Sequence, residues 1–192
     1  MKKKLNYCRG VVVVHGKSEK LLAEHIKSNL HLPIEVYAEN NGKTSIQIDS
    51  LITILNNNIF KNERCLKRKY NIEIENKKIK NFFLIVIMDL DDTTEEKIKQ
   101  YKSGKMFEKH WLSPYIIPVW NNKNLDQVMF DLGLISKVPN YKEKGRVYEE
   151  VFPKNNGELD KKQIENLYEK FKSSKKTNMD IFIEECLKLL GE

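Results

Sequence analysis

A parallel α/β sheet of about four strands, with helices on both faces and a helical C-terminal tail, is the fold class that the sequence predicts. Strand-like and helix-like stretches alternate from residue 11 to residue 133. VVVV (11–14) and FFLIVIM (82–88) are apolar at every position, as strands covered on both faces must be. After Lys137 the pattern turns to amphipathic helical segments without a clear strand.

The elements follow in order. VVVV is the first strand, and KSEKLLAEHIKSNL (17–30) is a helix with Leu21, Leu22, His25, Ile26 and Leu30 on one face. IEVYAEN (34–40) alternates like a strand after Pro33, and TSIQIDSLITILNNNIF (44–60) reads as a second amphipathic helix capped by Thr44 or Ser45. Residues 61–81 lack periodicity, carry a net charge of +5 and read as an insertion with a short strand at NIEIE. The apolar strand 82–88 precedes a helix from about Thr93 to Tyr101, a strand YIIPVW (115–120) and a helix over 124–133 closed by Gly133. Residues 1–139 are expected to form the α/β domain and residues 140–192 a helical extension.

The chain has 192 residues, 40% of them hydrophobic and 32% charged, enough for one core beneath a heavily solvated surface. No apolar run approaches the ~20 residues of a membrane span. The basic start MKKKLNYCRGVVVV is not expected to act as a signal peptide, because its apolar run ends after four residues at His15. Cys8, Cys65 and Cys186 are an odd number without a CxxC pair, which fits a reducing cytoplasm. The net charge of +7 is uneven: residues 1–81 hold 16 basic and 8 acidic side chains, residues 82–141 hold 7 and 8, and residues 142–192 hold 11 and 11. A basic first half attracts polyanions, nucleic acid (DNA or RNA) above all; a plain lysine-rich surface has the same composition.

Ligands of parallel sheets gather at the carboxyl ends of the strands, which places His15, Asn40 or Asn41, Asp89 and Asn121 near one rim. There FFLIVIM runs directly into Asp89, Asp91 and Asp92. Two such charges ~4 Å apart repel by roughly 4 kcal/mol at an effective dielectric of ~20, and a divalent cation offsets that. Hard oxygen ligands suit Mg²⁺ or Mn²⁺. Helix capping accounts for Asp92 with Thr93, but not for Asp89. At the first strand, His15-Gly16-Lys17 before a helix presents backbone N–H groups and an ammonium to a phosphate, with Glu19 one turn on; Ser18 is a helix cap or part of that rim. Lys123 is a further candidate for phosphate, and Asp126 is an additional acid or a helix N-terminal aspartate. Trp111, Tyr115 and Trp120 either stack on bases or pack in the core. His25 reads as a core residue, and His31 and His110 have no partner at ligand spacing.

DLDDT resembles the first motif of haloacid-dehalogenase-type phosphatases, with Asp89 as nucleophile, although a strand–helix–strand–helix run precedes it here and no later acidic pair follows. Taken together, HGKSE (15–19) and DLD (89–91) resemble the Toprim domain, which is shared by topoisomerases, bacterial primases, nucleases of the overcoming-lysogenization-defect group and the ribonuclease that matures 5S ribosomal RNA. The family's first motif is an apolar strand ending in Glu-Gly-x-Ser/Thr/Asp-Glu/Asp, and a later strand ends in Asp-x-Asp. The likeness extends over about residues 10–133, NNGKTSIQ (40–47) included, and departs from the family at His15, which stands where the glutamate is expected. It implies Glu19, Asp89 and Asp91 as metal ligands for Mg²⁺ or Mn²⁺ and catalysis by Asp89, Asp91 and His15, with His15 transferring protons or ligating a softer ion. It also implies a nuclease, acting alone, as a homo-oligomer or beside a protein partner, in the manner of phage-defence or mobile-element proteins. The alternative is a binding or regulatory module whose site has lost catalysis.

Overall fold

The computed structural model describes residues 7–57, 59–91, 93–153 and 158–191, with the side chains at 158 and 159 set aside. Asp92 lies outside the described residues. Four parallel strands form the sheet: β1 (Gly10–Val14), β2 (Ile34–Tyr37), β5 (Phe83–Asp89) and β6 (Ile116–Asn121), in the order β2-β1-β5-β6. Between them in the chain, β3 (Ile74–Glu75) and β4 (Lys78–Ile79) make a separate antiparallel hairpin. The sheet is in register from Gly10 opposite Phe83 to Val14 opposite Ile87, and Asp89 pairs with Asn121.

Every residue of β1 and β5 is buried, and their alternating side chains feed two cores. Val12, Val14, Ile85 and Ile87 face α1 (Lys17–Asn29), α5 (Leu125–Asp131) and the tail helices α6 (Lys144–Val151), α7 (Glu158–Lys172) and α8 (Met179–Lys188). Val11, Val13, Leu84, Val86 and Met88 face α2 (Leu51–Leu55), α3 (Glu63–Lys69) and α4 (Glu95–Lys102). The buried Tyr101 hydroxyl lies 2.7 Å from both the Val86 and the Val119 carbonyls, sharing its proton between them and fastening α4 to β5 and β6. No helix among the described residues is long and apolar enough to cross a membrane.

Three elements differ from the sequence expectation. The helix expected over 44–60 is a 3₁₀ turn (Ile48–Ser50) running into the short α2. Ile46 instead lies along the end of β1, its N–H bonded to the His15 carbonyl at 2.7 Å. Its apolar residues Ile46, Ile48, Leu51, Leu55 and Phe60 are all buried, so the amphipathic pattern reflects burial rather than one continuous helix. Residues 61–81, expected as an insertion with one short strand, contain α3, capped by the Asn62 side chain accepting the Cys65 N–H at 2.9 Å, and the β3–β4 hairpin. Asn76 and Lys77 turn that hairpin, both at positive φ (50° and 63°), as a type I′ two-residue turn requires. Finally, the expected helical extension opens on α6, a helix not singled out within it, and this helix carries residues that matter below.

The strand order places the reversal of winding between β1 and β5. Their carboxyl ends splay the loops apart there, and a crevice opens at the rim.

Candidate functional site

His15 follows the last residue of β1, and its backbone is fixed on both sides. Its N–H donates to the Ile87 carbonyl at 2.8 Å, and its carbonyl accepts from Ile46 N–H at 2.7 Å. The ring Nδ1 stands 2.9 Å from the Ile46 carbonyl. A carbonyl can only accept, so Nδ1 carries the hydrogen. Nε2 therefore points toward Asp89, whose Oδ2 is 3.8 Å away.

Gly16 caps α1, and Glu19 turns back so that its Oε2 accepts the Gly16 N–H at 3.0 Å, the acidic half of a capping box. Ser18 is not a cap. Its hydroxyl is directed at the Asp126 carboxylate, 3.0 and 2.9 Å from the two oxygens. The loop after β2 brings Gly42 against α1. At φ 81°, a Cβ there would lie 3.3 Å from Lys17 Cα, so the close approach and the left-handed backbone both call for glycine.

From β5, Asp89 is 5% exposed, and Asn121 on β6 donates through Nδ2 to its Oδ1 at 3.1 Å. Asp91 stands at the exposed mouth. Asp126, in the first turn of α5, is held by Ser18, by the Tyr148 hydroxyl at 3.0 Å and by Lys144 Nζ at 2.7 Å. The same Lys144 ammonium donates to Ser18 Oγ at 2.7 Å. Helix α5 itself is capped by Asn124, which accepts the Gln127 N–H at 2.9 Å.

His15, Ser18, Glu19, Asp89, Asp91, Asp126 and Lys144 line one cavity of about 410 Å³, together with Lys17, Lys43, Val138, Pro139 and Tyr141. Lys17 reaches the Tyr141 carbonyl at 3.0 Å and lies over the Tyr141 ring, 4.3 Å from its centroid. A larger cavity of about 580 Å³ opens near the start of β1 and β2, between Cys8, Pro33 and Tyr70, but it lacks paired carboxylates.

The electrostatics are those of crowded, buried acids. Burial pushes the Asp89 carboxyl up to about 9, with Glu19, Asp91 and Asp126 adding to the shift and the Asn121 hydrogen bond opposing it. Glu19 is shifted upward too, chiefly by burial, while His15 and Lys144 favour its charged form.

Of the residues singled out from the sequence, His15, Gly16, Lys17, Glu19, Asp89, Asp91 and Asp126 meet in this cavity. Lys123 does not line it; at φ 67° it faces a smaller pocket with Gln127, Asp131 and Lys176. None of residues 61–81 lines it either. Tyr115 serves the fold rather than the rim: its hydroxyl accepts the Ile79 N–H at 2.9 Å. Trp111 donates through Nε1 to the Phe60 carbonyl at 2.7 Å. Sequence reading passed over Lys43, Lys144 and Tyr148. No local pattern marks them, since Lys144 meets Ser18 across 126 residues of chain.

Among the described residues, no three His, Cys, Asp or Glu side chains converge closely enough to form a metal cage by themselves. The oxygen-rich donor set still suits an ion that binds through one or two carboxylates and keeps several waters, as Mg²⁺ does.

No family model matches the chain, and comparison with curated proteins finds no match. Among solved structures, the C-terminal region of the Burkholderia pseudomallei OLD protein is similar over 96% of this chain and 88% of that one, with 16% sequence identity and a TM-score of 0.37. So distant a likeness carries no argument about chemistry, and the functional reading rests on the site.

Proposed function

We propose that the chain is a Toprim-type nucleic-acid phosphodiesterase dependent on Mg²⁺ or Mn²⁺. The observation that carries this reading is the meeting of Asp89, Asp91 and Glu19 with two lysines, Lys17 and Lys43, in one cavity at the winding reversal of the sheet. Carboxylates to hold a hard cation beside ammonium groups to hold phosphate are what cleavage of a polyanion needs.

Asp89 and Asp91 would hold the ion, with Glu19 behind them. When bound, it would supply a water of lowered pKa and take up charge on the phosphate oxygens. The remaining work falls to the chain. Lys17 and Lys43 draw the phosphodiester to the mouth, and Asn121 fixes Asp89 Oδ1 so that Oδ2 faces the cavity. His15 presents Nε2 beside that oxygen, with Nδ1 anchored to the Ile46 carbonyl. The test is cleavage of labelled single- and double-stranded DNA and RNA with Mg²⁺ or Mn²⁺. Asp89→Asn and Asp91→Asn should each lower the rate at least about a hundredfold; undiminished cleavage in Asp91→Asn would remove the assigned site.

One observation favours a second reading, a binding or regulatory module. Asp126 is already neutralised by Lys144, so this acid is not free for a metal ion. Replacing His15 by Glu separates the readings: a gain of cleavage marks a decayed site, and a loss marks a working histidine. The phosphatase reading of DLDDT ranks behind both, because a strand–helix–strand–helix run precedes the motif and no later acidic pair follows it.

A further inference from the structure

We propose that His15 is a metal ligand through Nε2, and that it turns the site toward first-row transition ions, with Mn²⁺ as the readiest probe, over Mg²⁺. This inference deepens the reading above and rests on its metal-binding premise, but its argument is the local geometry.

Three features of the imidazole point the same way. Its Nδ1–H is committed to the Ile46 carbonyl at 2.9 Å, the outer-shell bond that metal-ligating histidines ordinarily make and that fixes their tautomer. In the neutral ring, this leaves the lone pair on Nε2. That nitrogen has no hydrogen-bond partner among the described residues; the nearest acidic oxygen is Asp89 Oδ2 at 3.8 Å. Such a separation is too long for a hydrogen bond. Two donor atoms each about 2.1–2.2 Å from one ion can stand up to about 4.4 Å apart, so 3.8 Å lies within the span of a bridging ion.

The second donor is prepared in the same manner. Asn121 occupies Asp89 Oδ1 at 3.1 Å and leaves Oδ2 to face Nε2. Both donors are thus fixed by a bond at their other atom, His15 by a backbone carbonyl and Asp89 by a buried amide. These two donors are the ones so fixed, with Asp91 lining the same cavity at its mouth, and coordination positions remain for water and a phosphate oxygen. Nitrogen in the ligand set weakens the claim of Mg²⁺, which takes oxygen almost exclusively, and strengthens that of the first-row transition ions.

The experiment uses the full chain without a histidine tag, loaded with Mn²⁺ and studied by pulsed electron paramagnetic resonance. Binding of Mn²⁺ and Mg²⁺ is measured in parallel by calorimetry, and His15→Glu and His15→Gln are checked for an unchanged melting transition. The wild type should show nitrogen modulation from an imidazole on bound Mn²⁺, and should prefer Mn²⁺ over Mg²⁺ by about tenfold or more. His15→Glu should still bind Mn²⁺, lose the nitrogen signal and lose most of the preference. Mn²⁺ bound to the wild type without nitrogen coupling, or with coupling that survives in His15→Glu, overturns the ligand assignment and leaves the phosphodiesterase reading standing. Failure of the wild type to bind either ion overturns both.

Discussion

Asp89 is the residue on which the site's physics concentrates. Its carboxyl is pushed from an ordinary 3.8 up to about 9 by burial and by neighbouring acids. The sign of the stability effect follows directly. Between those values the folded chain holds a proton that the unfolded chain has released, so the contribution is full below about pH 4 and fades as the pH climbs toward 9. Metal-free protein should therefore melt lower as the pH rises over that range. Asp89→Asn cannot ionise, and should flatten the profile and stabilise the metal-free chain at pH 8 by on the order of 1–3 kcal/mol; melting in chelator from pH 5 to pH 9 checks this. Lys144 is the complementary case. Its ammonium satisfies Asp126 and Ser18 inside the fold, so Lys144→Met should cost roughly 1–3 kcal/mol by leaving Asp126 uncompensated. Most of that cost should vanish in Lys144→Met/Asp126→Asn, a coupling that a double-mutant cycle of unfolding free energies measures.

Among the elements, the segment just before α8 reaches the site from behind. Thr177 forms an antiparallel bridge with Asn121, and its hydroxyl stands 2.9 Å from Asn121 Oδ1 and 3.0 Å from the Trp120 carbonyl. Asn121 in turn donates to Asp89. The end of β6 thus orients the end of β5 with help from the tail. Thr177→Val keeps the shape and removes the hydroxyl, and should cost about 1–3 kcal/mol because Asn121 is fully buried. It should also weaken metal binding, whereas Thr177→Ser should restore both; thermal melting and calorimetric titration are the readouts. The elements also differ in how legible they were. β1 and β5 could be read because unbroken apolar runs have few other uses in a domain of this size. The segment 44–60 could not, because buried isoleucines spaced along an irregular loop mimic a helical stripe.

At the scale of the whole molecule, the proposed function makes charge the factor that would lead a polyanion to the cavity. The basic excess lies in residues 1–81, yet the lysines that line the site are Lys17, Lys43 and Lys144. Arg64, Lys67 and Arg68 on α3 are exposed and outside the cavity lining. Nucleic-acid affinity should fall steeply with salt. Lys17→Ala and Lys43→Ala should each reduce the slope of log K against log salt by about 1. Removing the three α3 charges should weaken binding less per charge. Equal losses at both places would mean that the strand is held by the general field rather than led to the rim. The tail belongs to the same accounting of the molecule, since Ile164, Leu167, Phe171, Phe182 and Ile183 are buried in the core that also holds Val12 and Val14. A chain ended before α7 should lose its cooperative melting transition.

By itself, the sequence determined the parallel α/β class, the strand ends that carry His15 and Asp89, and the nearby acids Glu19 and Asp91. Each of those follows from a pattern contained within about ten residues: an apolar run, its polar terminus and a helix start. The tertiary structure alone decided the rest. It brought Lys144 and Tyr148 onto Asp126, sent Ser18 to that carboxylate instead of to a helix cap, and set Thr177 behind Asn121. It also left Lys123 outside the cavity. These pairings join groups that are far apart along the chain and depend on the strand order β2-β1-β5-β6 and on where the tail helices pack. Strand order and helix docking minimise the free energy of the whole core, so no short stretch of sequence records them.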